Sequence, residues 1–320
     1  MNMFYDLSAR ILSSLRSDCR IQPEDTVIVG VSGGIDSVFL LTRLHELGQP
    51  MIAAVFDHGL RPEAAEECAF VQSFCSERGI PCIPGSADVR SHAETVHTGI
   101  EAAARELRYR FLFDTAEKNQ AAAVITAHHA NDRAETVLLH LLRGTGIDGL
   151  SGMRPYALPN PFSETIPLIR PLLGITRAEI EAYMAANRIP YREDSSNTDP
   201  EFTRNRIRLD LIPKLEREYN PKIVESLCRL AETASADADL LNEITGSTAN
   251  TSVLFFWTTG SNGAEGHIRL SRTRRECGCS VFFSRSLSVK TGISVIRSSN
   301  RLMIFSSMHG ITRSCLFSEK

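Results

Sequence analysis

The sequence lacks any apolar run that approaches the ~18 consecutive residues of a membrane span. Its most apolar stretches, such as Ala121–Ile125, end within a few residues. We therefore expect no membrane-spanning segment. The segment Met1–Arg20 carries scattered arginines, is interrupted by Asp6 and Asp18, and has no continuous apolar core, so it does not have the pattern of a signal peptide. A cytoplasmic protein is the expectation that follows.

Cysteine pairs with the spacing of metal ligands are also missing. The chain has 8 cysteines, but Cys68, Cys75 and Cys82 are seven residues apart, and only Cys277 and Cys279 are close to each other. Reduced, mostly buried thiols are the expected state. The chain likewise has no Gly-x-x-x-x-Gly-Lys segment, which disfavours a kinase or GTPase of the P-loop kind.

A large excess of one charge is absent as well, since 35 basic and 38 acidic residues leave a net charge of -3. The average hides an uneven distribution, because residues 247–320 hold 10 basic and 3 acidic residues and the residues before them hold 25 and 35. With 42% hydrophobic residues the chain has the composition of a globular protein. Its partners must be inferred from local motifs rather than from the overall charge.

Short apolar runs alternate with helical periodicity through the first half of the chain. The predicted strands are Thr26–Val31, Met51–Phe56, Pro81–Ile83 and Ala122–Ala127, and the predicted helices include Glu63–Arg78, Ile100–Lys118 and Asn131–Arg143. Strands that alternate with helices predict a parallel sheet covered on both faces. We therefore expect an α/β fold with a doubly wound parallel sheet, followed by a helical segment and a smaller C-terminal region.

The second half of the chain has a different organisation. Helices resume at Thr176, which forms a predicted capping box with Glu179, and Pro221–Ile244 is predicted to be a long helix. After Gly246 the chain becomes rich in serine and poor in acid, with short strand-like pieces near residues 293–296 and 302–305. We predict a catalytic domain over 1–215, a helical linker over 216–246 and a small C-terminal region over 247–320.

The strongest local signal is Ser32–Ser37, which reads Ser-Gly-Gly-Ile-Asp-Ser and lies between a predicted strand and a predicted helix. Two glycines let the backbone approach a ligand, and the start of the helix adds unsatisfied N–H groups and a positive dipole end. The two serine hydroxyls can donate to phosphoryl oxygens, whereas Asp36 would repel a bare phosphate and fits best beside a magnesium ion. The pattern favours a phosphate-binding turn over a tight turn with a serine cap.

This turn is similar to the pyrophosphate-binding loop of the N-type ATP pyrophosphatases, the PP-loop superfamily, which cleave ATP to AMP and pyrophosphate. Further motifs narrow the resemblance. They are Asp57-His-Gly-Leu-Arg61, Glu101-Ala-Ala-Ala-Arg105 with Arg108-Tyr109, Ala127-His-His-Ala-Asn131-Asp132-Arg-Ala-Glu135-Thr136, Arg143-Gly-Thr-Gly-Ile-Asp-Gly149-Leu-Ser-Gly-Met153, Ile169-Arg-Pro-Leu-Leu173, Asp194-Ser-Ser-Asn-Thr-Asp199 and Thr203-Arg-Asn-Arg-Ile-Arg208. From about residue 25 to about residue 215 the chain resembles the tRNA(Ile)-lysidine synthetase family.

The resemblance implies a ligase that attaches free L-lysine to carbon 2 of the wobble cytidine in a tRNA(Ile) with a CAU anticodon. A cytosine carbonyl oxygen is a poor leaving group, so ATP must first adenylate it before an amine can displace it. The lysine ε-amine has an ordinary pKa of about 10.4, so the site must recognise an ammonium and then remove a proton. Carboxylates suit both tasks. The implied ligands are ATP, Mg²⁺, free L-lysine and the tRNA, without a membrane, and a homodimer is one assembly to test.

The same resemblance assigns roles to individual residues. Asp132 and Glu135 lie three apart at a predicted helix start, where their side chains share a face and could grip one ammonium group. The catalytic residues so implied are Asp36, Asp132 and Glu135. The binding residues so implied are Ser32, Gly33, Gly34, Ile35, Asp36, Ser37, Asp57 and His58 for ATP, Asp36 for magnesium, Asn131, Asp132, Glu135 and Arg105 for lysine, and Arg204, Arg206 and Arg208 for tRNA or the adenylated intermediate. The alternatives are acids that complement a helix dipole, strand-end caps and solvated arginines.

Two other functions remain open at this point. A tRNA-thiolating enzyme of the same superfamily usually shows a cysteine pair, which residues 1–246 lack, and the acids of the Asn131–Thr136 motif favour an amine nucleophile. A nucleotide- or RNA-binding module without turnover is the second, because residues 247–320 differ from the compact tRNA-holding domain that follows the long helix in the family. They are either a divergent version of that domain or an abnormal reading frame.

Overall fold

The structure is a computed structural model that describes residues 3–60, 63–192 and 203–249 and the strand segments within 252–318. The predicted motif at 194–199 lies outside the described residues. The chain divides into two units, Met1–Ala238 and Asp239–Lys320. The boundary between them falls within the segment predicted as a helical linker, and the predicted domain limits at 215 and 246 stay predictions.

The first unit alternates helices and strands as expected. Its strands are β1 Val27–Val31, β2 Met51–Asp57, β3 Cys82–Ser86, β4 Ala123–Ile125, β5 Tyr156–Ala157 and β6 Leu168–Ile169. The helices of the chain are α1 Met3–Ser13, α2 Ile35–Glu46, α3 Glu63–Ser76, α4 Val89–Val96, α5 Ile100–Lys118, α6 Ala130–Arg143, α7 Ile147–Leu150, α8 Arg177–Ala186, α9 Thr203–Arg206, α10 Ile212–Glu218 and α11 Ile223–Ala249, with π-helical turns at Ser14–Asp18 and Ile207–Leu211. None of the helices described is both long enough and apolar enough to cross a membrane.

The strands form a six-stranded sheet in the order β3-β2-β1-β4-β6-β5. All neighbouring strands pair in parallel except β5, which is antiparallel to β6 at one edge. The chain proceeds from β1 to β2 and β3 on one side and later to β4 and β6 on the other, so the strand order reverses beside β1. The doubly wound fold predicted from the sequence is confirmed, and its switch point lies at the carboxyl end of β1.

Strand β1 is apolar throughout because helices cover both faces of the sheet. Val27 and Val29 are fully buried in the cluster that includes α2, whereas Ile28 is fully buried on the other face against α5. Gly30 allows close packing, since a Cβ atom there would lie 3.0 Å from a methyl group of Leu112, which would have to shift. The glycine thus brings α5 close to the end of β1, beside the predicted phosphate-binding turn.

The capping box predicted at the start of α8 is confirmed. The Glu179 carboxylate accepts hydrogen bonds from the Thr176 backbone N–H and hydroxyl, both at 2.8 Å, and the hydroxyl accepts from the Glu179 N–H at 3.3 Å. These bonds satisfy backbone donors that a helix start leaves unpaired. They also fix the position of Arg177, the first residue of α8.

Several helices were not predicted from the sequence, among them α1 and α4. In α1 and the π-helical turn after it, Leu7, Ile11 and Leu15 are buried at a spacing of four residues, which was a usable helical signal. Helix α4 is short and is capped by Asp88, whose side chain accepts a hydrogen bond from the Ser91 N–H. Strand β3 is longer than predicted, because an edge strand tolerates a proline and a glycine.

The second unit contains strands in two antiparallel sheets. The strands are β7 Ser252–Thr259, β8 Gly266–Glu276, β9 Cys279–Ser288, β10 Ile293–Ser298, β11 Arg301–Met308 and β12 Ile311–Ser318. Their orders are β7-β8-β9 and β10-β11-β12. The strand-like pieces predicted near residues 293–296 and 302–305 fall within β10 and β11.

Candidate nucleotide-binding site

A pocket of about 580 Å³ opens at the carboxyl ends of the central strands of the first unit. Its wall includes Val31 from β1, Phe56 from β2 and Thr126 just after β4. This is the edge at which open α/β sheets bind their ligands, because the loops and helix N-termini that follow the strands converge there. The predicted phosphate-binding turn forms one side of the pocket.

The turn between β1 and α2 is held in shape by its own hydrogen bonds. The Ser37 hydroxyl donates to the Gly34 carbonyl at 2.9 Å and accepts from the Ser32 N–H at 3.2 Å. Gly33 has a φ of +86°, a left-handed conformation in which a side chain would be strained. The Arg192 N–H donates to the Gly33 carbonyl at 2.9 Å, so the chain after α8 crosses over the turn. The turn and the N-terminus of α2 can therefore hold a phosphate group.

Asp36 is the second residue of α2, and its two carboxylate oxygens have different contacts. Its Oδ2 accepts a 2.6 Å hydrogen bond from the Arg177 guanidinium. Its Oδ1 is buried, has no hydrogen-bond partner among the described residues, and lies 3.6 Å from His129 Nε2. Burial raises the pKa of Asp36 above its ordinary value, although the charges of His129 and Arg177 partly oppose the effect.

The unpaired oxygen of Asp36 fits a magnesium ion bound together with ATP. Mg²⁺ prefers hard oxygen ligands and is usually held by one or two carboxylates together with phosphate oxygens and water. In the part of the chain that the structure describes, no group of three or more histidine, cysteine, aspartate or glutamate side chains could hold a metal ion by itself. Asp36 would therefore hold the ion only in combination with the phosphates.

His129 and Asp132 lie together at the start of α6. The His129 N–H donates to Asp132 Oδ2 at 3.0 Å, and His129 Nε2 lies 3.4 Å from the same oxygen. Burial alone would raise the pKa of Asp132, but the charges of His129 and His128 and the backbone hydrogen bond together lower it. His129 thus lies between Asp132 and Asp36. The phosphate-binding turn and the acidic pair, which consists of Asp132 and Glu135, therefore belong to one site.

In this structure, arginine side chains contact both carboxylates of the acidic pair. Glu135 is 1% exposed, and its oxygens accept hydrogen bonds from Arg208 Nε at 2.6 Å and Arg204 Nε at 2.9 Å. Asp132 Oδ1 accepts from Arg208 Nη2 at 2.8 Å. Two of the arginines predicted for tRNA or the adenylated intermediate therefore contact the predicted lysine-binding acids. Arg206 instead donates to the Thr203 hydroxyl at 3.2 Å and lies outside this cluster.

Other predicted site residues have different contacts. The Asn131 side-chain oxygen accepts from the Arg177 N–H at 3.0 Å, so it holds the start of α8. Asp57 accepts from the Gly59 N–H at 2.8 Å, which is the strand-end cap considered as the alternative, whereas His58 lines the pocket. Arg105 is exposed, with its guanidinium carbon 4.8 Å from the centre of the Tyr109 ring.

Arg177 was not among the predicted site residues, although the structure pairs it with Asp36. Its position directly after the capping residue Thr176 was a signal that a cation would be fixed at the start of α8. Arg192, Tyr191 and Glu181 also line the pocket and were not predicted. They come from the chain around α8, which contributes no strand to the sheet, so the βα pattern did not indicate them.

We expect His128 to make the free energy of unfolding depend on pH. Burial, with a smaller effect of the charges of Arg170, Arg105 and Arg204 and against the charge of Asp132, lowers the pKa of its imidazole to about 3. Below about pH 6.5 the unfolded chain binds a proton here that the folded chain does not, so the free energy of unfolding falls as the pH falls. We expect this residue to contribute a loss of about 1–2 kcal/mol between pH 7 and pH 5.

Urea unfolding of the wild type and of His128→Gln at about pH 7 and about pH 5 measures this contribution. The variant should lose less stability than the wild type over that range. The exposed His45 on α2 provides the matched control, and His45→Gln should retain the wild-type dependence. Equal losses for the wild type and His128→Gln would contradict the assignment.

The fold and the site together define a nucleotide-binding α/β domain, with a glycine turn at the switch point of a doubly wound sheet. The family described as the PP-loop domain matches residues 6–215. The chain therefore belongs to the PP-loop family. This membership supports ATP as the nucleotide that the domain uses.

Curated relatives share the sequence of the first unit. The chain is 39% identical over 251 residues to the tRNA(Ile)-lysidine synthase of Porphyromonas gingivalis, covering 78% of this chain and 54% of the relative. It is 40% identical over 227 residues to the tRNA(Ile)-lysidine synthase of Geobacter sulfurreducens, covering 70% and 47%. It is also 35% identical over 282 residues to the bifunctional protein TilS/HprT of Listeria innocua, covering 85% and 41%. The chain spans about half the length of these relatives.

A solved structure agrees with the fold. The U34-tRNA thiolase NcsA from Methanococcus maripaludis superposes with a TM-score of 0.60 and 17% sequence identity, over 72% of this chain and 79% of the thiolase. At this identity the likeness shows the doubly wound fold alone.

Proposed function

We propose that this chain ligates free L-lysine to carbon 2 of the wobble cytidine of tRNA(Ile) with a CAU anticodon, forming lysidine, AMP and pyrophosphate from ATP. Membership of the PP-loop family and similarity to tRNA(Ile)-lysidine synthases support the proposal. The observation that carries it is the acidic pair beside the phosphate-binding turn, with His129 within 3.6 Å of both Asp36 and Asp132. The proposal includes Mg²⁺, a cytoplasmic location and a homodimer as the assembly to be tested.

In the first step, the turn Ser32–Ser37 binds the phosphates of ATP through its backbone N–H groups and serine hydroxyls. A magnesium ion held by Asp36 and the phosphates would neutralise charge on the departing pyrophosphate. The cytosine carbonyl oxygen attacks the α-phosphorus, the bond to the bridging oxygen breaks, and pyrophosphate leaves. The carbonyl oxygen is now part of a good leaving group.

In the second step, the acidic pair receives the lysine side chain. The lowered pKa of Asp132 keeps its carboxylate ionised, which suits recognition of an ammonium more than uptake of its proton. We assign proton removal to Glu135, which lies one helical turn away. The neutral amine attacks carbon 2 and AMP leaves with the former carbonyl oxygen. Because Arg204 and Arg208 occupy these carboxylates, the entering ammonium has to exchange with at least one of their contacts.

A tRNA-thiolating activity is the second candidate, because thiolating enzymes of the same superfamily also use ATP to activate a tRNA base. In the described residues, none of the cysteines Cys19, Cys68, Cys75, Cys82 and Cys228 lines the pocket. Thiolation with a cysteine at the reaction centre is therefore less supported than attack by an amine.

The decisive experiment uses the full chain with ATP, Mg²⁺, radiolabelled L-lysine and a CAU-anticodon tRNA(Ile). Label should enter the RNA in proportion to the AMP formed. The matched control is the same tRNA with uridine in place of the wobble cytidine, which should remain unlabelled. A sulfur donor in place of lysine tests the alternative, and incorporation of sulfur but not of lysine would refute the proposed function.

A further inference from the structure

The fold brings together two of the three cysteines that are spaced seven residues apart in the sequence, Cys68, Cys75 and Cys82. Cys75 lies in the last turn of α3, and Cys82 is the first residue of β3. The Cys75 thiol donates a hydrogen bond to the Cys82 sulfur. Neither residue lines the nucleotide pocket, so the reaction proposed above does not account for this contact.

The backbone holds the two cysteines close to each other. The Ile80 N–H donates to the Cys75 carbonyl at 2.9 Å, which ends α3 and reverses the chain at Gly79, where φ is +67°. Cys82 then pairs with Ala53 in the parallel ladder between β2 and β3. The contact between the thiols is therefore fixed by regular backbone structure on both sides.

The two thiols have different surroundings. Cys75 is fully buried in the main core, whereas Cys82 is half-buried and packs against that core. Their hydrogen bond raises the pKa of Cys75, which burial raises further, and lowers the pKa of Cys82 against the effect of burial. Burial, together with nearby acidic charges, raises the pKa of the third cysteine, Cys68, to about 11. Because the thiolate is the reactive form, Cys82 is the thiol that an oxidant attacks first.

We propose that Cys75 and Cys82 form a reversible oxidation site, at which hydrogen peroxide converts the two thiols into a disulfide. The Cys82 thiolate attacks the peroxide, the O–O bond breaks, and the sulfur becomes a sulfenic acid while hydroxide leaves. Cys75 then attacks this sulfur, loses its proton, and water leaves as the S–S bond forms. The two thiols are oxidised, the peroxide is reduced to water, and a dithiol reductant reverses the change.

Helix α3 connects the oxidation site to the phosphate-binding turn. Val71 and Cys75 are four residues apart, share a face of α3 and are both buried. A Cβ atom at Gly33 would lie 3.5 Å from a Val71 methyl group and 3.7 Å from the Phe70 ring, so α3 packs directly against the turn. A disulfide holds two sulfurs closer than a hydrogen bond does and draws the end of α3 toward β3. We expect oxidation to weaken ATP binding about fivefold or more.

Peptide mapping of the full chain tests the site. The protein is treated with hydrogen peroxide, its remaining thiols are alkylated, and it is digested with trypsin, which cleaves after Arg78 and so separates Cys75 from Cys82. We expect the two peptides to be joined by a disulfide that dithiothreitol removes. Cys68→Ala is the matched control on the same helix and should form the same cross-link. A missing cross-link, or one that Cys68→Ala abolishes, would overturn the proposal.

Two single variants test the order of the steps. Cys75→Ala should stop at the Cys82 sulfenic acid, which dimedone labels, whereas Cys82→Ala should leave the buried Cys75 reduced. Oxidation of Cys75 in Cys82→Ala as fast as in the wild type would contradict this order. The melting temperature of each reduced variant establishes that it is folded. The cross-link in the wild type is measured without either variant, so it decides the proposal even if a core substitution unfolds the chain.

Calorimetry with ATP measures the effect on the turn. The oxidised wild type should bind ATP more weakly than the reduced protein, and dithiothreitol should restore the affinity. Peroxide should leave the ATP affinity of Cys82→Ala unchanged, although this variant keeps all the other cysteines. An equal loss in Cys82→Ala, or full affinity in the cross-linked wild type, would overturn the connection to the turn. These measurements need neither lysine nor tRNA, so they fail or succeed independently of the proposed function.

Discussion

Replacing Asp36 by alanine is expected to lower tRNA-dependent AMP formation by about a hundredfold or more while the domain stays folded. Asp36 contributes a buried carboxylate oxygen with no hydrogen-bond partner in the described residues, at the turn where the phosphates would lie. Its removal would take away the carboxylate that we propose holds a magnesium ion, and it releases Arg177 from a 2.6 Å ion pair. The rate of AMP release is measured with saturating ATP, lysine and tRNA.

Two further variants make this result specific. Asp36→Asn keeps the shape of the side chain and removes only the charge, so it should lose nearly as much activity. Asp114→Ala removes an exposed aspartate from α5 and should behave like the wild type. Circular dichroism and the melting temperature establish that each variant is folded. AMP formation by Asp36→Ala at the wild-type rate would remove this residue from the reaction.

Replacing Glu135 by alanine is expected to abolish lysine incorporation and to weaken ATP binding only slightly. Glu135 is buried with two arginines on its oxygens and is not among the residues of the phosphate-binding turn. The variant leaves Arg204 and Arg208 without this partner. Since both arginines are about a third exposed, we expect a loss of stability of about 1–3 kcal/mol, less than for a fully buried pair.

The comparison of two readouts tests the role of Glu135. Lysine incorporation is measured with labelled amino acid, and ATP binding is measured by calorimetry on the same preparation. Glu135→Gln retains the volume and can still accept a hydrogen bond from an arginine, so it should be more stable than Glu135→Ala yet equally unable to take up a proton. Asp148→Ala, at an exposed position on α7, is the control. Equal losses of incorporation and ATP binding would contradict a separate role in the lysine step.

The doubly wound sheet was predictable because each βα unit has a local signature. The run Val27–Val31 is entirely apolar, and the glycine turn follows it at once, so strand, turn and helix could be located without any knowledge of distant contacts. The capping box at Thr176 depends on residues three apart and was predicted for the same reason. Helix α1 was not predicted, although Leu7, Ile11 and Leu15 are buried at a regular spacing of four residues.

The partners of the site charges could not be predicted in this way. Asp132 and Glu135 were expected to share a face, and both now belong to one cluster with His129. Arg204 and Arg208 approach that cluster because the π-helical turn Ile207–Leu211 and α9 pack beside α6, which the periodicity of α6 does not reveal. The balance of charge at the site is thus a property of three elements rather than of one motif.

The amino-acid sequence alone determined the α/β class, the glycine turn after β1 and the residue types available for chemistry, since these follow from neighbours within a few positions. Only the tertiary structure decided which charges meet. Asp36 pairs with Arg177 across 141 positions of the chain, and Glu135 pairs with Arg204 across 69. Coulomb energies depend on distance in space and on burial, and both quantities arise only when the sheet and its helices have assembled.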